Sequence, residues 1–215
     1  SCSQQHNNAT AVTAGNGHSC ALLDNGTVQC WGSGGYLGDG STSDNSTPVT
    51  VSNITTAIGI SAGTGYTCAV LTGGTVKCWG TDGGGYGVLG NGSTSRQLTP
   101  VSVNNISTAT AISAGQYSAC ALLSGGTVKC WGRGSYGQLG NGSTSNSLTP
   151  VSVSNISTAT ALSNRGGNQF HCALLSGGLI QCWGTDDEGK LGDGGTVIHA
   201  NTINSEPVYV VGFGQ

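Results

Sequence analysis

The chain is poor in charge. Only 7% of its 215 residues are Asp, Glu, Lys or Arg, where an ordinary domain carries about a quarter. Six basic residues stand against nine acidic ones, for a formal net charge of −3. That leaves no basic patch to meet a phosphate backbone, so nucleic acid is not an expected partner. Long apolar runs are absent too. None approaches the ~20 residues of a membrane helix, so no membrane span is expected. Nor does any stretch repeat its apolar residues at helical spacing, which leaves strands and turns. Histidine is scarce. Its four copies, His6, His18, His171 and His199, take no recurring place, and nothing marks a nucleophile elbow. The expectation is a protein that is not an enzyme, with no catalytic residues and no cofactor.

What the chain has instead is glycine, 39 of 215 residues, with Ser, Thr and Asn filling much of the rest. A surface of hydroxyls and amides suits an extracellular protein that assembles or carries glycans. It also has nine cysteines, and eight of them mark a repeat. The stretch Cys120-Ala-Leu-Leu-Ser-Gly-Gly-Thr-Val-Lys-Cys130-Trp131-Gly132 recurs from Cys20 to Trp31, Cys68 to Trp79 and Cys172 to Trp183. In each copy two cysteines lie ten positions apart and Trp-Gly follows the second. A period near fifty residues is the mark of a propeller or a solenoid.

Within the repeat, two β-prone runs flank Ser124-Gly125-Gly126, the signal of a β-hairpin. A three-residue loop opposes Leu123 to Thr127, Leu122 to Val128 and Cys120 to Cys130, with Gly126 in the positive-φ position of a bulge. A two-residue loop would miss the cysteine pairing by one. Opposed Cβ atoms lie about 4.5–5.5 Å apart and the closest pairs suit a disulfide. Four local disulfides are therefore expected: Cys20–Cys30, Cys68–Cys78, Cys120–Cys130 and Cys172–Cys182. Each is worth roughly 2–3 kcal/mol on a chain-entropy view, less where the hairpin already restricts the loop. The competing readings are four pairs of free buried thiols or a metal site. Cys-x9-Cys is not zinc spacing, and no second pair or histidine recurs beside it. Alternation puts Cys120, Leu122, Val128 and Cys130 on one face and Ala121, Leu123 and Trp131 on the other. Both faces are apolar, so the hairpin must be covered on both sides.

The chain divides into an arm, 1–8, and four units, 9–57, 58–109, 110–160 and 161–215. Each unit reads as four strands: a first strand such as Ala111-Ile-Ser-Ala-Gly115, the two hairpin strands, and a last strand led by Pro48, Pro100, Pro150 or Pro207. A Gly-rich loop such as Gly134-Ser-Tyr-Gly-Gln-Leu-Gly-Asn-Gly142 precedes the last strand. Four strands per unit make a propeller blade. Trp131-Gly132 with Tyr136-Gly-Gln-Leu-Gly-Asn-Gly142, after Ala-Gly-x4-Cys-Ala-Leu, resembles the regulator of chromosome condensation repeat. The likeness runs from about Ala9 to Gly212. The third copy matches best. The second carries an insertion at Gly83-Gly-Gly-Tyr-Gly-Val-Leu-Gly90, the first lacks the Gln position, and the fourth departs most. Paired hairpin cysteines resemble the secreted prokaryotic branch. The resemblance implies an all-β fold of four-stranded antiparallel blades. The family fold is usually a closed seven-bladed propeller, whereas four repeats must close alone, pair with a second chain or stack in an open array. It also implies roles as exchange factors, inhibitors, or sensory and adhesive modules, none of which transfers here residue by residue.

The disulfide pattern points to an oxidising compartment, hence a secreted or cell-surface protein whose export signal was removed before Ser1. Trp31, Trp79, Trp131 and Trp183, one per unit, read as packing between blades rather than as a carbohydrate platform. Tyr36, Tyr86 and Tyr136 lie in the Gly-rich loops and are better candidates for ligand or interface contacts. Asp186, Asp187, Glu188 and Asp193 are the only concentration of carboxylates, a weak calcium candidate beside a plain solvated turn. Asn53, Asn91, Asn105, Asn141 and Asn155 begin sequons in expected loops. Cys2, left without an intrachain partner, is the candidate for an intermolecular bond. The favoured expectation is a structural subunit of an extracellular filament or ring, with other copies of itself as partner. The alternative is a binding, adhesion or inhibitor module that grips a protein or glycan through its loops.

Overall fold

The computed structural model describes residues 7–163, 169–195 and 202–213. The arm's Cys2 and His6, together with His199, lie outside the described residues. Among the described residues sixteen strands form four separate four-stranded sheets, each antiparallel and in chain order. The first blade is β1 (Ala9–Ala14), β2 (His18–Leu23), β3 (Val28–Gly32) and β4 (Asn45–Thr50). The second is β5 (Ala57–Ala62), β6 (Tyr66–Leu71), β7 (Val76–Gly80) and β8 (Gln97–Ser102). The third is β9 (Ala109–Ala114), β10 (Ser118–Leu123), β11 (Val128–Gly132) and β12 (Ser147–Ser152). The fourth is β13 (Ala159–Leu162), β14 (Phe170–Leu175), β15 (Ile180–Thr185) and β16 (Ile203–Tyr209).

The hairpin register is the one the three-residue loop requires. Cys120 opposes Cys130 and Leu122 opposes Val128, and Gly126 donates to the Leu123 carbonyl at 2.9 Å with φ +79°. Disulfides join Cys20–Cys30, Cys68–Cys78, Cys120–Cys130 and Cys172–Cys182.

The last strand of each blade differs from its sequence reading. The prolines do not begin it. Pro150 sits inside β12, and the pairing with β11 shifts register between Cys130 and Gly132. Pro48 and Pro100 take the same place in β4 and β8. A residue without an N–H is tolerated on an outermost strand where the ladder is already interrupted.

The core lies between blades rather than within them. Cys120, Leu122, Val128 and Cys130 pack against Ala173, Leu175 and Trp183 of the fourth blade. On the opposite side Ala119, Ala121 and Trp131 pack against Cys68, Val70, Val76 and Cys78 of the second. Each blade thus has a forward face, carrying the disulfide, and a rear face, carrying the tryptophan. The joint between the first and second blades repeats the scheme with Cys20, Leu22, Val28 and Cys30 against Ala69 and Trp79.

Candidate interaction surfaces

Three joints repeat one set of contacts. The tryptophan of the following blade sits over a glycine of the preceding loop. A Cβ on Gly38, Gly90 or Gly140 would fall 2.7 or 2.8 Å from the ring of Trp79, Trp131 or Trp183, so only glycine lets the indole down. The hairpin glycine's carbonyl accepts from the next first strand: Gly26 from Ala57 at 2.9 Å, Gly74 from Ala109 at 2.8 Å, Gly126 from Ala159 at 2.9 Å. The loop reaches the next last strand through Gly40 N–H to the Leu98 carbonyl, Gly92 to Leu148, and Gly142 to Ser205. Between neighbouring first strands the Ala62 and Ala114 N–H groups donate to Thr13 Oγ1 and Ser61 Oγ, both at 2.9 Å.

The histidines belong to these joints. His18 Nε2 lies 2.7 Å from Thr67 Oγ1, and His171 Nε2 lies 2.9 Å from Ser118 Oγ. Burial pushes both imidazoles down from their ordinary value of 6.5 to about 4, so they are neutral at pH 7. Tyr66 at the second joint places its hydroxyl 2.9 Å from the Ser118 carbonyl and 3.1 Å from that of Gly115. Burial raises its pKa far above the usual phenol range. These groups carry joint hydrogen bonds and do not converge on a cleft.

Both ends of the array present faces that the internal blades bury. On the forward face of the fourth blade Leu174 is 42% exposed, whereas its counterparts Leu22, Val70 and Leu122 are at 5%, 0% and 5%. Ala161, Ser163, Cys172, Leu174 and Ile180 line a shallow apolar groove there. On the rear face of the first blade Val12 is 72% exposed, against 7% for Ile112 in the third. Trp31 is half-buried, while the other three tryptophans are fully enclosed.

A second surface lies at the loop end of the second and third blades. The Arg133 guanidinium carbon lies 4.5 Å from the Tyr136 ring centroid, 5.1 Å from that of Tyr86 and 5.9 Å from that of Tyr117. Tyr86 and Tyr117 meet edge to face with centroids 5.3 Å apart. Cation–π contact of this kind is worth about 0.5–1 kcal/mol at an exposed site. Arg133 Nε donates to Ser135 Oγ at 2.8 Å, and no carboxylate pairs with Arg133 among the described residues. The partly exposed Arg133 is thus framed by three rings. Tyr36 lies apart from this cluster, 5.7 Å from the His18 ring. Tyr117 and Arg133 were not singled out in the sequence. Aligning the four copies would have exposed them, since the matching positions hold Gly17, Gly65 and Gln169, and Ser33, Thr81 and Thr185.

The acidic loop does not gather its carboxylates. Asp186 Oδ1 accepts from Leu191 N–H at 2.8 Å, Asp187 pairs with Lys190 at 3.4 Å, and Asp193 Oδ1 accepts from Gly195 N–H at 2.9 Å. Among the described residues no three His, Cys, Asp or Glu side chains come together as metal ligands. Asn53, Asn105 and Asn155 are exposed at φ +54°, +55° and +58°, the left-handed turn that asparagine tolerates. Asn91 and Asn141 instead use Oδ1 to accept from Ser93 and Ser143 N–H.

The regulator of chromosome condensation repeat profile matches residues 9–36, 74–122, 109–138 and 125–174, more than half of the chain. Among solved structures the chain resembles Prp20p from Saccharomyces cerevisiae, described with its binding to Gsp1p and histones. Identity is 22% over 93% of this chain and 49% of that one, with a TM-score of 0.76. Human WBSCR16 matches at 20% identity over 96% of this chain and 54% of that one, TM-score 0.79. The ectodomain of the Arabidopsis thaliana receptor kinase ACR4 matches at 21% over 84% and 57%, TM-score 0.54. The chain spans about half the length of these solved relatives.

Proposed function

The chain belongs to the regulator of chromosome condensation repeat family, and on that premise we propose that it is a secreted, non-enzymatic structural subunit of an extracellular filament or ring. The observation that carries this reading is the pair of uncovered blade faces. An apolar blade face is buried at every internal joint, and the first and fourth blades each present one to solvent. Exposed apolar surface bounded by polar residues marks an interaction site. Four disulfides suit an oxidising compartment, and the ACR4 relative is itself an ectodomain. Low charge removes the electrostatic repulsion that keeps proteins apart. In this reading the units 9–57, 58–109, 110–160 and 161–215 are the repeating parts, the 1–8 arm with Cys2 docks on a neighbour, and Asn53, Asn105 and Asn155 are the best-presented glycan acceptors. No helix among the described residues is long and apolar enough to cross a membrane.

The test is sedimentation velocity with negative-stain imaging of the purified protein. Fibres or rings are expected. A monodisperse 21.3 kDa species at every concentration would overturn the reading. It would favour a binding module, for which the Tyr86–Tyr117–Tyr136 frame around Arg133 is the specific support. A guanidinium edge held by rings fits a carboxylate on a protein or glycan.

A further inference from the structure

Resting on the assembly reading, we infer that the forward face of the fourth blade receives the rear face of the first blade of a second copy. The contact makes a fourth joint of the kind already present three times. The argument is positional. The groups that build an internal joint have counterparts at the ends, and there the counterparts lack such a neighbour among the described residues. Gly192 corresponds to Gly38, Gly90 and Gly140. A Cβ built on those three meets an indole, whereas one on Gly192 meets only Val210. Among the described residues no glycine lies beneath Trp31 as Gly38, Gly90 and Gly140 lie beneath the other three tryptophans. Gly178 corresponds to Gly26, Gly74 and Gly126. A Cβ on those three would fall 2.7 Å from the backbone of the segment that leads into the next blade, at Thr55, Ser107 and Ser157, and one on Gly178 has nothing within 4 Å. In the same order, Gly194 N–H matches the donors of Gly40, Gly92 and Gly142, and the Ser46 carbonyl of the first blade matches their acceptors Leu98, Leu148 and Ser205.

The repeat also continues beyond its last strand. Val210 N–H bonds the Ile180 carbonyl and Val211 N–H the Gly192 carbonyl, as Val153 does with Val128 and Ser154 with Gly140. Gly212, at φ +88°, takes the left-handed place of Asn155. Phe213 then stands where Ile54, Ile106 and Ile156 stand. Those isoleucines are buried at joints, and Phe213 is half exposed beside the open face. The forward face thus offers Leu174, Ile180 and Phe213, and the rear face offers Val12 and Trp31. Such an interface is heterologous. It yields a two-fold ring where two copies close on each other and a helical filament where they do not. Both contain the same joint.

The test uses two single substitutions on exposed side chains, Val12→Asp for the rear face and Leu174→Asp for the forward face. Each is expected to weaken self-association at least about tenfold, because a carboxylate is taken out of water without a partner. The deciding step is mixing. The Val12→Asp protein keeps an intact forward face and the Leu174→Asp protein an intact rear face, so an equimolar mixture should form dimers and nothing larger. Trp31 fluorescence in that mixture should lose quenching by iodide relative to either variant alone. Unchanged thermal melts of the separate variants exclude misfolding as the cause. If wild-type protein assembles and neither substitution affects it, the fourth joint is wrong and the assembly reading stands. If only one variant loses assembly, the interface is face-to-same-face and the head-to-tail joint is overturned. If wild type never assembles, both fail.

Discussion

Tryptophan-to-phenylalanine substitution at three equivalent positions should not cost the same. Trp131 Nε1 donates to the Val88 carbonyl at 2.8 Å and Trp183 Nε1 to the Gln138 carbonyl at 3.0 Å. Trp79 Nε1 is buried with no acceptor. The cause lies in the first blade's loop. The acceptors Val88 and Gln138 stand two positions before Gly90 and Gly140. Tyr36 stands at the matching place before Gly38, in a loop where Gly38 follows Trp31 by seven positions rather than the nine from Trp131 to Gly140, and its carbonyl does not receive the Trp79 indole. Phenylalanine removes similar volume at all three places, so the packing losses largely cancel in the comparison. At Trp131 it also breaks a buried hydrogen bond and strands the Val88 oxygen, worth about 1–3 kcal/mol. At Trp79 it removes a stranded donor and recovers a similar cost. Trp131→Phe and Trp183→Phe should therefore destabilise the protein by about 2–3 kcal/mol more than Trp79→Phe, read as urea midpoints at matched m values with disulfides intact. Equal costs within about 0.5 kcal/mol would show that the Nε1 bonds carry no net weight and would refute the reasoning. Full truncation, Trp131→Ala, should cost roughly 3–5 kcal/mol.

Acid should loosen the joints before the carboxylates account for it. His18 and His171 titrate near 4 when folded and near 6.5 when unfolded, so between those values the unfolded chain binds more protons. Stability is then fully present above pH 6.5 and falls toward pH 4, by up to about 1.4 kcal/mol per pH unit for each histidine. His171→Gln should flatten the slope of the urea midpoint against pH from 7 to 4.5, and an unchanged slope would refute the assignment. Gly126→Ala puts a Cβ at φ +79° and 2.7 Å from the Ser157 carbonyl, and should cost at least about 1–2 kcal/mol. Gly125→Ala meets nothing within 4 Å and should stay within about 0.5 kcal/mol on the melting curve. Peptide mapping without reductant should return four intra-hairpin cysteine pairs, and one cross-blade pair would break the joint description.

The hairpins were legible because loop length, glycine placement and cysteine spacing all demand one register. Cys120 can face Cys130 only if Gly126 takes the left-handed position, and both conditions hold. The two-faced apolar alternation likewise fixed which residues meet the neighbouring blades. The start of the last strand was misplaced because a proline was read by its local propensity. The bulge between Cys130 and Gly132 that accommodates it is a property of the pairing with β12. The Arg133 frame was missed for a related reason. The third blade's hairpin brings Tyr117 beside Arg133, whose N–H bonds the Tyr117 carbonyl, and only the stacking of blades adds Tyr86 from the second blade's loop. Phe213 was overlooked because the unit was taken to end with its strand, although Val210-Val211-Gly212-Phe213 has the spacing of Val153-Ser154-Asn155-Ile156.

The placement of the core in the joints also explains the disulfides. A blade with two apolar faces and no interior of its own cannot bury either face alone, so its stability is a sum of nearest-neighbour terms. The first and fourth blades each gain one such term and the second and third gain two. The cross-links lie on the forward faces, where in the first three blades both sulfurs are covered by the next blade's alanine and tryptophan. In the fourth blade the same bond holds β14 to β15 with no following blade among the described residues to cover it. A cross-link that restrains the hairpin in the unfolded chain therefore matters most there, since it keeps the open face in the register that a docking blade requires. The alanines opposite the disulfides, Ala69, Ala121 and Ala173, allow the close approach, and the counterpart on the first blade is Ala21, partly open to solvent on the rear face. The end faces thus preserve the small residue, the tryptophan and the sulfur bridge at the positions where an internal joint uses them. These are features that a solvent-facing cap would have replaced with charge.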